Sequence, residues 1–283
     1  MDNETARNIR GNLTADCSKC FGLCCTALTI VASSDFPINK QAGTPCMNLQ
    51  SDYSCQIHSQ LRDKGFKGCT VFDCLGAGQV VSQVTFNGES WRENPDIGKK
   101  MFRVFPIMEQ IHEIIAYVAE ALSYDIPIDL ADKLGKQLTE LQALTKLDAD
   151  NLLSLDLVMY RFSSNELLTL ASDFVRRKTI NKMPGVRKIK EFDHQRANWM
   201  GKKLKGKDLR ATDFRGAYLI AADMRNTDLR AVDFIGADLR DVNFCGADLS
   251  TGMFLTQMQI NSAKGNVKTT LPSHIHRPSH WIN

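Results

Sequence analysis

The 283 residues predict a mixed, multidomain protein with a cysteine-rich metal-binding front, an α-helical middle and a C-terminal solenoid of short repeats. Three observations carry this reading. Eight of the nine cysteines lie between Cys17 and Cys74. From Pro106 onward, apolar residues recur with a helical period. Ten five-residue units then run from Lys202 to Thr251, each with a bulky apolar centre, and so short a self-similar period specifies stacked repeats. The expected divisions are 1–98 for the cysteine-rich domain, 99–180 for the helices, 181–203 for a basic connector, 204–263 for the repeats and 264–283 for a tail.

Composition bounds the function classes. A hydrophobic content of 43% supports real cores, while a net charge of +3 is too mild to dictate a partner. Residues 1–16 are polar, which argues against a secretory signal. The most apolar run, Ile107 to Leu122, is interrupted by Glu109, His112, Glu113 and Glu120 and is no membrane span. A cytoplasmic protein with no membrane partner is expected.

In a reducing cytosol, clustered cysteines with two-residue spacings point to metal ligation rather than disulfides. The candidates are Cys17, Cys20, Cys24, Cys25, Cys46, Cys55, Cys69 and Cys74, with His58 three positions after Cys55. Two thiolates flanking a short turn converge on one ion, and soft sulfur selects zinc or iron. This segment resembles the bacterial CxxCxxCC family of zinc- or iron-chelating domains through the opening four cysteines, Pro45-Cys46, Cys55-Gln56-Ile57-His58 and Gly68-Cys69. The chain departs from that pattern in an extra residue before the Cys24-Cys25 doublet, in lacking Arg-Pro before the last cysteine, and in His58, where the family often has Tyr. Zinc is favoured over iron or an iron–sulfur cluster. Eight thiols exceed the four of a structural zinc site, so there are two sites or some cysteines are small buried hydrophobes. Cys245 is expected to face outward as a bystander.

The short apolar run of Val80, Val81, Val84 and Phe86 leaves strand and helix open. Ile107, Ile111, Ile114, Ile115, Val118 and Leu122 mark one helix face, with Pro106 suited to its first turn. Leu130, Leu134, Leu138 and Leu141 mark a second helix. A third is expected from about Asp148 to Phe162. A fourth opens at Ser163, where Glu166 three residues later makes a capping box, and closes near Arg176, Arg177 and Lys178. His112-Glu113 lacks the second His of a zinc-protease helix, since Ala116 occupies that position. The spacings Glu109 to His112 and Glu191 to His194 echo di-iron bundles, but positions on a solvated face are the simpler reading.

Between Arg176 and Lys207, twelve Lys and Arg stand against only Glu191 and Asp193. That composition marks a solvated connector, with nucleic acid or an acidic protein face as the alternative contacts. Trp199 and Phe192 are expected to cover the open end of the repeats.

The repeat centres are Leu204, Leu209, Phe214, Leu219, Met224, Leu229, Phe234, Leu239, Phe244 and Leu249, and Phe254 begins another unit. Small residues stand two positions earlier, from Thr212 to Ala247, and Asp or Asn stands just before most centres. The unit resembles the pentapeptide-repeat family. That resemblance implies a right-handed quadrilateral β-helix with four units to a square coil, so that residues twenty apart stack. Phe214, Phe234 and Phe254 would then share a column; Leu204, Met224 and Phe244 the opposite one; Leu209, Leu229 and Leu249 a third; Leu219 and Leu239 the fourth. Such coils are too thin to bury a core alone, so stacking excludes the water.

In the tail, Trp281 is expected to pack back onto the solenoid. His274, His276 and His280 have metal-like spacing but no neighbouring carboxylate in sequence.

Some pentapeptide-repeat proteins mimic DNA and occupy topoisomerases. Ten units make about 2.5 coils, roughly 12 Å tall at ladder spacing, and a mimic of that height needs on the order of seven net negative charges. Residues 204–251 hold eight Asp against seven Lys and Arg, so charge and length weigh against a topoisomerase-binding mimic, which stands as the disfavoured alternative. No Ser-His-Asp set, phosphate loop or paired carboxylates appear. The expectation is a non-enzymatic scaffold with a structural metal and an unknown protein partner. An iron- or redox-dependent use of the cysteines is the alternative. Nucleic acid is not an expected partner, and the open ends of a solenoid also allow a homodimer.

Overall fold

The computed structural model describes residues 2–184 and 188–281; positions 185–187 of the expected connector lie outside the described residues. The chain forms two compact units, Met1–Ala119 with Asp132–Glu166, and Glu120–Ala131 with Leu167–Asn283.

Nine α-helices of four residues or more occur among the described residues, beginning with α1 (Asn3–Asn12), which Asp2 caps by accepting from Thr5 N at 2.7 Å. Three short helices follow, α2 (Leu23–Thr26), α3 (Lys67–Val71) and α4 (Ala77–Val80). The run left open in sequence is helical, because α4 continues into a wider π-turn over Val81–Thr85. Helix α5 (Pro95–Leu122) starts well before Pro106. Its real first turn is Pro95, capped by Asn94, whose side chain accepts from Asp96 N at 3.2 Å. Pro106 instead lies inside the helix, where it removes one N–H from the ladder. The apolar face of α5 buries Met101, Val104, Phe105, Met108, Ile111 and Val118.

Helix α6 (Ile128–Leu144) buries the expected Leu130, Leu134, Leu138 and Leu141. The third and fourth helices divide differently from the sequence reading. A short α7 (Ala149–Leu153), capped by Asp148, precedes one continuous α8 (Leu157–Ile180). The Ser163 box is no cap: Ser163 Oγ donates to Tyr160 O at 3.2 Å within the helix. Val158, Met159 and Phe162, expected on an apolar face, are exposed. Among the described residues no helix is long and apolar enough to cross a membrane.

The repeat segment corrects the expected fold class. Among the described residues there is no β-strand and no sheet, so the right-handed quadrilateral β-helix is not what this segment forms. The repeats are instead tight turns joined by isolated parallel bridges between residues twenty apart, such as Asp208 with Asp228 and Asp228 with Asp248. The reason is local. Two positions after most centres the backbone takes a positive φ, at Gly206, Ala211, Gly216, Ala221, Asn226, Ala231, Gly236, Asp241 and Gly246. One extended residue per side therefore pairs before the chain turns, and no ladder propagates.

The interior obeys the twenty-residue register. Phe214, Leu219, Met224, Leu229, Phe234, Phe244, Leu249 and Phe254 are fully buried, and the Phe214 and Phe234 rings lie 6.1 Å apart. Burial of each such side chain contributes roughly 1.5–3 kcal/mol. The small residues two positions earlier, including Ala217, Ala222, Val232, Val242 and Ala247, are buried with them. Where an Asp or Asn precedes the centre, it accepts from the backbone N–H two residues on, as Asp213 does from Arg215 at 3.0 Å and Asn243 from Cys245 at 3.1 Å. These Asx turns explain why the carboxylate or amide recurs.

The stack starts earlier than the sequence reading placed it. Asp193 bridges Asp213 and Asn198 bridges Tyr218, so His194 and Trp199 head two columns. Trp199 packs 5.1 Å from the Phe214 ring and His194 4.5 Å from Trp199. Three coils span 193–252, and an irregular fourth bridges at Met253, Lys264 and Thr270. Phe192 packs with Ile180, Met183 and Ala211 at one corner.

One face of the second coil is buried rather than solvated. Arg176 of α8, itself 2% exposed, bonds Ala211 O at 2.8 Å and Asp213 at 3.0 Å, while Arg215 meets Asp233 at 2.7 Å. At the far end, α9 (Gln257–Ser262) and Trp281 cover the last coil, with Trp281 Nε1 donating to Ala263 O at 3.0 Å. The tail histidines do have a carboxylate neighbour: His274 Nε2 lies 3.5 Å from Glu120 Oε2. Glu120 Oε1 accepts from Phe254 N and from the Tyr124 hydroxyl, each at 2.6 Å.

Candidate metal centre

Cys17 opens a 3-10 turn over Cys17–Lys19, which Asp16 caps by accepting from Ser18 N at 3.1 Å, and Cys20 follows at its end. The chain then reverses at Gly22, whose φ of +64° suits glycine; a Cβ there would also sit 2.7 Å from Leu49. That reversal launches α2, which carries Cys24 and Cys25. Cys46 N donates to Cys25 O at 2.9 Å, and Leu49 bridges Cys55. Cys69 lies within α3, and Cys74 O accepts from Ala77 N at 2.9 Å at the entry to α4.

Two sulfur pairs result. Cys24 and Cys25 Sγ are 3.9 Å apart. Cys20 and Cys74 both flank Gly78, where an added Cβ would lie 2.7 Å from one sulfur and 3.8 Å from the other. A side chain at that position would press on the Cys20 sulfur, while Cys74 sits at ordinary contact distance, so glycine is what leaves room for Cys20 there. Among the described residues, no three His, Cys, Asp or Glu side chains converge closely enough to hold one ion. His58 sits exposed on its own 3-10 turn. Cys245 is partly exposed on the repeat stack.

The electrostatics separate the thiols. The hydrogen bond from Cys24 holds the Cys25 thiol below its usual range, aided by the Lys40 ammonium, and the same bond together with burial pushes Cys24 well up. Burial raises Cys74 to about 11 against the N–H groups of Gly78 and Gly76. Cys69 rises to about 12 through burial and then the neighbouring Cys25, Cys46 and Cys55. Burial also raises Cys17, Cys20 and Cys55.

Lys40 was invisible as a site residue in sequence. Its buried Nζ lies within hydrogen-bond distance of four carbonyls, which share its three N–H groups: Thr26 at 3.1 Å, Leu28 at 2.5 Å, Gln41 at 3.2 Å and Thr44 at 3.0 Å. It thereby ties down the segment that follows the doublet. Behind Cys20, Phe21 O accepts from Trp91 Nε1 at 2.8 Å, and Phe21, Tyr53, Trp91 and Phe102 form a chain of ring contacts.

His112 of α5 is buried rather than solvated, with Nδ1 2.8 Å from Leu75 O, and burial lowers its pKa. Glu109, one turn away, is raised to about 7 by burial and by the Glu113 and Asp73 carboxylates. Glu113 itself pairs with Arg161 at 3.0 Å.

Comparison with known proteins places the repeats and the whole chain. The family described as pentapeptide repeats matches residues 203–250 in eight copies. Two solved pentapeptide-repeat structures resemble part of the chain. One, from the Arabidopsis thaliana thylakoid lumen, is 23% identical at a TM-score of 0.23 over 34% of this chain and 68% of its own. The other, from Nostoc Pcc 7120, is 22% identical at a TM-score of 0.21 over 30% and 78%. The uncharacterized protein YybG of Bacillus subtilis (strain 168) is 48% identical over 274 residues, 97% of this chain and 96% of the relative. With its repeats matched and its length shared almost end to end, the chain is a pentapeptide-repeat protein of the same family as YybG.

Proposed function

We propose that this protein is a non-enzymatic, cytoplasmic binding scaffold in which the repeat stack is the frame and the N-terminal thiols hold a structural zinc ion. One observation supports the frame above all others. From Phe214 to Leu249 every repeat centre is buried, to within 1% exposure, while the outward arginines of the stack are matched by carboxylates two positions away. The stack thus presents flat faces of fixed spacing rather than polar groups converging on a reacting atom. Exposure of the purified chain to a metabolite extract, followed by mass spectrometry, should leave every metabolite unconsumed; turnover of any one would overturn the reading.

The donor chemistry supports a soft ion, and so does the resemblance of the cysteine spacing to zinc- and iron-chelating domains. Zinc bound there would cross-link thiolates without redox chemistry. No three of these groups converge on one point among the described residues, so holding zinc would require Cys17 to draw in toward the Cys20 and Cys74 pair, or Cys46, Cys55 and Cys69 toward the Cys24 and Cys25 pair. Elemental analysis should find zinc bound, and Cys20→Ser or Cys55→Ser should lower its stoichiometry while Cys245→Ser leaves it unchanged. A metal-free protein of undiminished stability would remove the zinc half of the proposal.

A second reading, reversible thiol oxidation, is favoured by the 3.9 Å separation of the Cys24 and Cys25 sulfurs and the depressed Cys25 thiol. Iodoacetamide at neutral pH should then label Cys25 ahead of the other cysteines, since the thiolate is the nucleophile. Uniform labelling would discard it.

A further inference from the structure

The two ends of the repeat stack are finished differently. The last coil is covered by α9 and Trp281, whereas the first coil ends in an edge. Deeper rungs pair on both sides: Asp223 N donates to Lys202 O of the first coil at 2.9 Å, and the adjacent Met224 N donates to Asn243 O of the third coil at 3.0 Å. On the first coil the backbone N–H and C=O of Asn198 and Lys203 have no partner among the described residues. Such groups are a template for one more extended segment.

Charge decides what kind of segment. In the later coils each exposed arginine is neutralised by the carboxylate two residues before it: Arg225 by Asp223 at 2.7 Å, Arg230 by Asp228 at 2.6 Å, Arg240 by Asp238 at 2.6 Å. Lys202, Lys203, Lys205 and Lys207 on the first coil are exposed, and none forms an ion pair among the described residues. Lys202 instead places Nζ 3.5 Å from the Trp199 ring centroid. Lys202 and Lys207 also occupy the inward register that holds buried Ala222 and Thr227 one coil deeper. An apolar coil of the same kind cannot stack there, and a second copy of this edge would meet four like charges.

We propose that the first coil, over residues 198–207, is a docking edge for an acidic, extended segment of a protein partner, which adds as the rung before the first coil. This rests on the scaffold reading and names the chemistry of its partner. Backbone pairing to Asn198 and Lys203 would give affinity, and carboxylates beside the lysines would give selectivity.

The test is fluorescence polarisation of the full chain with a labelled octapeptide of alternating Glu and Val. The same peptide with Gln for Glu, the same peptide N-methylated at alternate residues, and a single-stranded oligo-dT 20-mer complete the set. Saturable binding of the acidic peptide is expected, weakened on the order of tenfold by Lys203→Gln with Lys205→Gln and by raised salt, and unchanged by Arg240→Gln. The Gln and N-methyl peptides should bind at least tenfold more weakly, and hydrogen exchange at the Lys203 amide should slow on binding. No saturable binding, equal binding of the N-methylated peptide, or oligo-dT bound as tightly would each overturn the proposal. Those outcomes are distinct from metabolite turnover, which alone would overturn the scaffold reading.

Discussion

The repeat stack and the cysteine region put their sequence signals to work in opposite ways. In the stack one small set of requirements recurs: an apolar centre, a small residue two positions before, an Asx turn, and a positive φ after the centre. Each coil repeats what the coil beneath it does, as in the buried column from Phe214 through Phe234 to Phe254. In the cysteine region every contact is made once. Gly78 alone admits Cys20 beside Cys74, and Lys40 alone gathers four carbonyls. The difference teaches that periodic sequence reports packing, whereas chemistry assembled from distant single residues reports itself only in three dimensions.

The sharpest way to break that contrast is at the one place where the stack depends on a unique contact. Arg176 and Asp213 are both almost fully buried and 3.0 Å apart, and Arg176 also holds Ala211 O. Arg176→Ala leaves Asp213 beside Asp233 with one cation fewer, so it should destabilise the protein by about 3–5 kcal/mol, read by urea denaturation. A loss under 1 kcal/mol would show that the periodic columns alone hold the second unit. Position within a column gives the next effect. Phe234→Ala, with neighbours above and below, should cost about 3–5 kcal/mol. Leu209→Ala, partly exposed on the first coil, should cost clearly less, and equal losses would mean that the coils do not share their burial.

Much of the stack was legible for this reason. The centres and their small predecessors follow from the five-residue spacing, and the twenty-residue register is what the resemblance to pentapeptide repeats implies. The β-helix expectation failed because side length matters more than repeat number: a five-residue side with a positive-φ turn holds one bridging residue, too few for a strand. The first two sides of the first coil were missed although their signal was present, since Asp193 and Asn198 keep the Asx position and Ala197 the small one; His194 and Trp199 were simply unusual centres. Helix α8 was divided because Ser163 and Glu166 imitate a cap whose geometry a helix interior also tolerates. Lys40 and the contact of Glu120 with His274 had no sequence signal, because each joins residues whose separation nothing local encodes.

A smaller effect probes the Asx turns. Asp238 accepts from Arg240 N at 3.3 Å and also pairs with the Arg240 side chain at 2.6 Å, on a solvated face. Asp238→Ala should cost about 1 kcal/mol, and Asp238→Asn, which keeps the turn and loses the charge, should recover most of it. If Asn fails to recover stability, the ion pair rather than the turn explains why the carboxylate recurs.

The last expected effect belongs to the first unit and is a dependence on pH. Glu109 is raised from an ordinary 4.5 to about 7 by burial, with Glu113 and Asp73 adding repulsion. Below the unfolded value both states carry the proton and nothing is lost. As pH rises, the unfolded chain releases that proton while the folded chain keeps it, so the folded state loses stability until pH passes the folded value. The stability difference between Glu109→Gln and the parent should therefore be smallest near pH 4, grow in favour of Gln across the interval from 4.5 to 7, and level off above it. Thermal melts of both proteins from pH 4 to 8 read this directly, and a difference that stays constant across that range would mean that Glu109 is already ionised where it is buried.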